Sequence, residues 1–189
     1  VTKYNKVSPI IDETITNDFI LVLGAMDERK NTWMMIKAYM RSGLNDKNIK
    51  LKVVGLQSID KFCKKYSVSI DELRKDGIYL FAYVSDQTLI NLYQQCNVFM
   101  YISLNEGFGL PIIEALLCGA KVITSNTTSC KEVAGPGAVI VNPKDIQEIT
   151  NALINTTLGS GPINKNTRSW LKQFGWDNVI KEYLTEYET

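Results

Sequence analysis

The chain has 189 residues, enough for one domain with a substantial core but too few for two full ones. Hydrophobic residues make up 45% and charged residues 22%, the composition of an ordinary soluble globular protein. Lys and Arg number 21 against 20 Asp and Glu, so the formal net charge of +1 gives no electrostatic reason to expect nucleic-acid binding. The chain contains no histidine, which excludes catalytic triads and metal sites built on imidazole within it.

The longest apolar run covers residues 19–26, far short of the length that crosses a bilayer. We expect no signal peptide, because no charged and then apolar leader opens the chain. The four cysteines have spacings of neither a zinc site nor a redox pair, so we expect free thiols and a cytoplasmic location. The first residue is Val, which suggests a piece of a longer protein.

Short apolar segments alternate with amphipathic ones along most of the chain. The predicted strands are residues 19–23, 49–54, 78–82, 98–102, 121–124 and 138–141. The predicted helices are residues 31–42, 59–75 with a break near 67–69, 85–96, 110–118, 129–134 and 145–158. In the first helix, Trp33, Ile36 and Met40 are expected to face inward. This alternation predicts an α/β fold, a Rossmann-like, doubly wound parallel sheet of about six strands with helices on both faces.

The two ends differ in character from the alternating part. Residues 1–18 are polar and weakly patterned, as in a linker or interdomain segment. Residues 161–189 follow a Gly- and Pro-rich break and predict C-terminal helices, the last at 179–187. We therefore expect one domain, residues 19–160, with two appendages.

The loop after the first strand carries Arg29 and Lys30 next to a predicted helix start. Cations there oppose the helix dipole, so a bound anion would explain them. Plain surface charge is the alternative.

A second polar loop follows the fourth strand. Gly107 and Gly109 free the backbone to approach a ligand, and amides at the helix start can bind phosphate oxygens. A carboxylate beside a phosphate is repelled by it, so Glu106 and Glu114 are better suited to accept hydrogen bonds from hydroxyl groups. A ligand with hydroxyls at both ends and a diphosphate between them is a nucleotide sugar. The alternative is that both glutamates only complement the helix dipole.

The stretch EGFGLPIIEALLCGAKVITSN resembles the Glu-x7-Glu signature of retaining GT-B glycosyltransferases of the group 1 (family 4) class. The resemblance continues in LVLGAMDERKN, in YVSDQTLINLYQQCNVFMYISLNEG and in SCKEVAGPGAVIVNP, and covers about residues 19–187. That family folds as two Rossmann-like domains that face a cleft, and this chain resembles only the C-terminal, donor-binding one.

The resemblance implies roles for individual residues. Glu106 would lie by the donor sugar, Glu114 would bind the ribose hydroxyls, and Lys30 would neutralise the diphosphate. Many members have an arginine where Ala25 stands here, and we expect Arg29 to take its place. The catalytic candidates are thus Glu106, Lys30 and Arg29, and no metal or other cofactor is expected. The donor-binding candidates are Glu114, Gly107, Phe108, Gly109, Leu110, Val84, Tyr83 and Thr128, of which Tyr83 and Val84 would face the base.

The resemblance implies transfer of a sugar from a nucleotide diphosphate sugar to a glycan, lipid or other acceptor, with retention of configuration. The wording Arg-Lys-Asn at positions 29–31 favours GDP-mannose slightly over a UDP-sugar. The expected partners are this nucleotide sugar and a missing N-terminal acceptor domain, with a membrane surface reached only through the full-length protein. Alone, the chain is expected to be inactive. The alternative hypothesis is a stand-alone nucleotide-sugar-binding module without its own catalysis.

Overall fold

The computed structural model of the chain describes residues 18–159 and 166–174. The predicted linker, apart from its last residue, and the predicted helix at 179–187 lie outside the described residues. No helix within these two ranges combines the length and the apolarity that a bilayer crossing requires.

The six predicted strands form one parallel sheet in the order β3-β2-β1-β4-β5-β6. Each predicted strand is present, with ends shifted by two residues at most. The third shows the largest shift, because its ladder ends at Leu80 rather than at Ala82. The strands are β1 (Phe19–Leu23), β2 (Lys50–Val54), β3 (Ile78–Leu80), β4 (Val98–Tyr101), β5 (Val122–Ser125) and β6 (Ala138–Val141).

Helices connect the strands and cover both faces of the sheet. The predicted break at 67–69 is confirmed: Ser67 adopts a left-handed conformation, and Ser69 and Glu72 form a reciprocal capping box that starts a new helix. The helices are α1 (Thr32–Ser42), α2 (Ile59–Tyr66), α3 (Ile70–Lys75), α4 (Asp86–Gln95), α5 (Leu110–Leu117), α6 (Thr128–Ala134), α7 (Ile146–Leu158) and α8 (Thr167–Leu171).

The core consists of two apolar layers, one on each face of the sheet. In β1, Ile20 and Val22 point into the layer under α1, α2, α3 and α7, whereas Phe19 and Leu21 point into the layer under α4, α5, α6 and α8. This alternation is that of a strand buried on both faces. The fold class is therefore confirmed as an α/β Rossmann-like domain.

One predicted inward residue is wrong. Met40 is 44% exposed, whereas Met35 and Tyr39 are buried in the core. Trp33 and Met40 are seven residues apart and lie at the edge of the buried stripe of α1, whose centre runs through Met35, Ile36 and Tyr39.

Candidate functional site

The strand order reverses between β1 and β4, and ligands of such sheets bind beyond the carboxyl ends of the strands at that point. The loops that follow β1 and β4 are held together there. The amide of Leu104 donates to the carbonyl of Arg29 at 2.7 Å. Asn31, in a left-handed conformation, donates from its side-chain amide to the carbonyls of Ile102 at 3.1 Å and Pro143 at 2.9 Å. Three loops thus form one polar wall at the switch point.

Two of the predicted catalytic residues meet on this wall. The Lys30 ammonium donates to Glu106 Oε1 at 2.7 Å and to the Tyr101 hydroxyl at 2.7 Å. The side chains of Lys30 and Glu106 are 30% and 12% exposed, so the ion pair is largely shielded but open on one side. The residues are 76 positions apart in sequence, and the parallel topology brings them together.

Both members of the pair are held in their charged forms. Burial opposes ionisation of Glu106, but the hydrogen bond from Lys30, together with the nearby hydroxyls of Ser103 and Tyr101, outweighs it and lowers the pKa of the carboxyl. Burial likewise opposes the charge of Lys30, and its bonds to Glu106 and Tyr101 raise the pKa of the ammonium above its usual value. Burial raises the pKa of Tyr101 to about 12, so its hydroxyl stays neutral.

The third catalytic candidate, Arg29, is not part of this pair. Its guanidinium binds the carboxylate of Asp27, with Nε donating at 2.9 Å, and its side chain is 67% exposed. This bond lowers the pKa of Asp27. The Arg29 carbonyl is part of the polar wall, whereas the Arg29 guanidinium is bound to Asp27 instead of to the Lys30–Glu106 pair.

The Gly-Phe-Gly turn forms the start of α5. Gly109 has φ +98°, a conformation that glycine adopts without strain, and it sits immediately before the first helical residue. Gly107 has no such backbone requirement. Phe108 and Leu110 are exposed on this turn. No side chain caps the amides of α5, and Pro111 occupies its first turn.

The start of α1 also lacks a side-chain cap, because the amide group of Asn31 is bound to the neighbouring loops instead. A side chain caps four helices, Ser58 for α2, Ser69 for α3, Ser85 for α4 and Asp145 for α7, whereas α1, α5, α6 and α8 have no such cap. The uncapped starts of α1 and α5 follow Lys30 by two residues and Glu106 by four, so their free amides lie close in sequence to the ion pair.

Glu114 lies about one turn into α5 and is exposed. Its Oε2 accepts a hydrogen bond of 3.2 Å from the hydroxyl of Tyr93, which is buried on α4. Burial and the nearby carboxylate raise the pKa of Tyr93. The second glutamate is thus held at the surface by a donor from the core.

The start of α6 holds the backbone of Glu106 in place. The amide of Glu106 donates to Thr128 Oγ1 at 3.2 Å, and Ser129 Oγ donates to the Glu106 carbonyl at 3.2 Å. Thr128 has a positive φ of 50°. The remaining candidates, Tyr83 and Val84, lie between β3 and α4, and β2 separates β3 from β1 in the sheet.

Three residues of the site were not predicted from the sequence. Tyr101 and Tyr93 stand in apolar patterns that indicate core positions, which is where their rings lie. Asn31 was assigned to the start of a helix, and the left-handed backbone that frees its side chain for two other loops has no sequence signal of its own. Within the described residues, no three His, Cys, Asp or Glu side chains are grouped so that they could hold a metal ion.

The fold and the site define a Rossmann-like domain with a charged pair and uncapped helix starts at its topological switch point. The family model described as glycosyl transferases group 1 matches residues 8–168. The chain belongs to this family, as the Glu-x7-Glu resemblance predicted.

Two relatives are mannosyltransferases of Escherichia coli. The chain is 35% identical over 146 residues to the serotype-specific mannosyltransferase WbdA, covering 74% of this chain and 17% of that protein. It is 30% identical over 174 residues to the O-antigen chain mannosyltransferase B, covering 90% of this chain and 45% of that protein. The chain therefore spans less than half the length of either relative.

Solved structures share the fold. HepE of Anabaena in complex with UDP and glucose superposes with a TM-score of 0.70 at 19% identity, over 92% of this chain and 49% of that one. TarM of S. aureus superposes with a TM-score of 0.76 at 14% identity, over 94% of this chain and 37% of that one. The fold is thus that of one half of a GT-B glycosyltransferase.

Proposed function

We propose that this chain is the donor-binding domain of a retaining glycosyltransferase, which moves a sugar from a nucleotide diphosphate sugar to a glycan, lipid or other acceptor. The observation that carries the proposal is the shielded Lys30–Glu106 pair at the switch point, on the loop that leads into α5; this helix has no side-chain cap and carries Glu114 one turn after its start.

Lys30 is suited to a diphosphate. An ammonium group has three N–H donors, and Glu106 and Tyr101 accept two of them. The third donor can bind a phosphate oxygen while the other two hold the ammonium in place. Negative charge develops on the leaving diphosphate during sugar transfer, and a fixed cation stabilises it without reorganisation.

The uncapped amides of α1 and α5 complement this cation. Amide groups at a helix start bind anions, and the helix dipole favours negative charge there. Both starts flank the gap between β1 and β4, so a diphosphate in that gap would meet N–H donors from two elements. Under this proposal, Lys30 and these amides neutralise the diphosphate and no metal ion is required.

The two glutamates would contact the two ends of the donor. Glu106 would position the sugar, and Glu114, exposed on α5, would accept hydrogen bonds from the ribose hydroxyls. The names of the mannosyltransferase relatives favour mannose as the transferred sugar, and together with the Arg-Lys-Asn sequence at 29–31 this favours GDP-mannose over a UDP-sugar as the proposed donor. The acceptor site would belong to a further domain, because the relatives are more than twice as long as the segment that this chain matches. A cytoplasmic location is part of the proposal.

Calorimetric titration with GDP, UDP and ADP in the presence of EDTA tests donor binding. We expect saturable binding of one nucleotide, GDP above the others, and loss of binding in Lys30→Met. The full-length protein should then transfer mannose from GDP-mannose, with the anomeric configuration of the product read by NMR. Absence of binding of all three nucleotides to both the chain and the full-length protein would overturn the proposal.

A further inference from the structure

Two ionic groups of the site, the Lys30 ammonium and the Glu114 carboxylate, each form a hydrogen bond with the hydroxyl of a buried tyrosine. The hydroxyl of Tyr101, a residue 2% exposed, accepts from the Lys30 ammonium at 2.7 Å. The hydroxyl of Tyr93, a residue 1% exposed, donates to Glu114 Oε2 at 3.2 Å. Tyr101 therefore binds a cation and Tyr93 binds an anion.

The two tyrosine rings belong to one packed row. Phe99 lies between them, with its ring centroid 5.0 Å from that of Tyr93 at an interplanar angle of 80°, and 5.9 Å from that of Tyr101 at 24°. Phe99 and Tyr101 are two residues apart on β4 and point to the same face of the sheet, while Tyr93 comes from α4. Packing of the three rings fixes the positions of both hydroxyls relative to one another.

The core does not need these hydroxyls. Phenylalanine would fill both ring positions with the same apolar contacts, as it does at Phe99, and would avoid bringing a polar atom into a buried layer. Both hydroxyls instead reach the edge of the core where the site begins. One constrains the cation that would meet the diphosphate and the other constrains the carboxylate that would meet the ribose.

We propose that Tyr101 and Tyr93 are positioning residues for the donor, and that the Tyr93–Phe99–Tyr101 row sets the spacing between its diphosphate and ribose subsites. The inference rests on the proposed function, since it concerns the same site. Tyr101 and Glu106 together fix the Lys30 ammonium, and Tyr93 holds the exposed Glu114 in one orientation.

Single hydroxyl deletions test the proposal. Tyr93→Phe and Tyr101→Phe keep the ring row, and Tyr39→Phe is a matched control. Tyr39 is also buried, and its hydroxyl donates to the carbonyl of Ile49 at 2.9 Å, at the opposite edge of the sheet. GDP and UDP serve as probes in calorimetry at several pH values, and urea unfolding measures the stability of each variant.

Tyr93→Phe should weaken nucleotide affinity about two- to tenfold, the effect of one hydrogen bond. Tyr101→Phe should also move the alkaline limit of binding to lower pH, because the Lys30 ammonium loses an acceptor that raises its pKa. The charged and titratable groups near this ammonium are Glu106, Tyr101 and the Asp27–Arg29 pair, and only Tyr101 changes. Tyr39→Phe should lower stability and leave both the affinity and the pH limit unchanged.

Two comparisons separate this inference from the proposed function. If Lys30→Met and Glu114→Ala bind nucleotide as the unmodified chain does, the proposed function fails. If those variants lose binding while Tyr93→Phe and Tyr101→Phe keep the affinity and pH limit of Tyr39→Phe, only the positioning role is overturned. A change of affinity in Tyr93→Phe and Tyr101→Phe, with no greater loss of stability than in Tyr39→Phe and no change of affinity in Tyr39→Phe, supports it.

Discussion

Replacement of Lys30 by methionine removes the only cation that contacts Glu106 among the described residues and keeps the apolar stem of the side chain. The Glu106 side chain is 12% exposed, so water can replace the lost partner only in part. A hydrogen bond to a charged group contributes about 1.5–3 kcal/mol, and breaking a fully buried pair costs about 3–5 kcal/mol. Because the Lys30 side is open, we expect the lower range, a loss of about 1.5–3 kcal/mol in unfolding free energy at pH 7.

The pH dependence of this loss has a definite sign. The pKa of Glu106 is lowered in the folded chain, so its stabilisation is present above the ordinary glutamate pKa of about 4.3 and is lost as pH falls through the lowered value. Replacement of Lys30 removes the largest of the interactions that lower this pKa. The difference in unfolding free energy between the original chain and Lys30→Met should therefore be large at neutral pH and shrink at acid pH.

Urea unfolding followed by circular dichroism at neutral and acid pH measures this difference. Lys65→Met is the matched control: Lys65 pairs with Glu28 at 2.9 Å, close to the 2.7 Å of the Lys30 pair, but Glu28 is 79% exposed. Solvent screens such a pair, so Lys65→Met should leave stability unchanged. Equal stability of the two variants at pH 7 would refute the assignment of Lys30–Glu106 as a shielded pair.

Three further substitutions test other features of the structure. Glu114→Ala should weaken nucleotide binding about ten- to a hundredfold, since hydrogen bonds to a charged group are lost, and unchanged affinity in calorimetry would remove Glu114 from the site. Gly109→Ala should destabilise the chain by about 1 kcal/mol, because alanine is strained at φ +98°, whereas Gly107→Ala, with open space around its position, should leave the stability unchanged; equal stability of the two variants in urea would refute the backbone requirement at Gly109. Lys52→Met should raise the unfolding free energy at neutral pH, because burial disfavours the ammonium and lowers the pKa of this 5% exposed lysine, and no described carboxylate pairs with it. A variant that is less stable in urea at neutral pH would show that the contact of Lys52 with the Phe19 ring outweighs burial.

The strands and most helices could be predicted because their sequence signals are local. Phe19–Leu23 is a continuous apolar run, as expected for a strand covered on both faces, and the Ser69–Glu72 pair marks a helix start by residue type alone. The inward face of α1 was predicted only in part, since residues seven apart, such as Trp33 and Met40, lie at the margin of the buried stripe rather than at its centre.

The site could be predicted only in part. The proximity of Lys30 and Glu106 follows from the rule that parallel strands present their carboxyl ends at one edge, together with the family resemblance. Side-chain partners are not fixed by that rule. Arg29 binds Asp27, an acceptor two residues earlier in the chain. Tyr101 has the sequence pattern of a core residue because its ring lies in the core. The pairing of each tyrosine hydroxyl with an ionic group depends on tertiary packing, which the spacing of residues in the sequence does not reveal.

The side chain of Asn31 makes the polar wall at the switch point sensitive to deamidation of this residue. Its amide nitrogen donates to two carbonyls from two different loops, at Ile102 and Pro143. Deamidation to aspartate would replace these donors by an oxygen that only accepts, so two attractions would become two repulsions with no change in size. Loss of one amide group would then separate the loops that hold Lys30 and Glu106 while the sheet beneath them stayed intact.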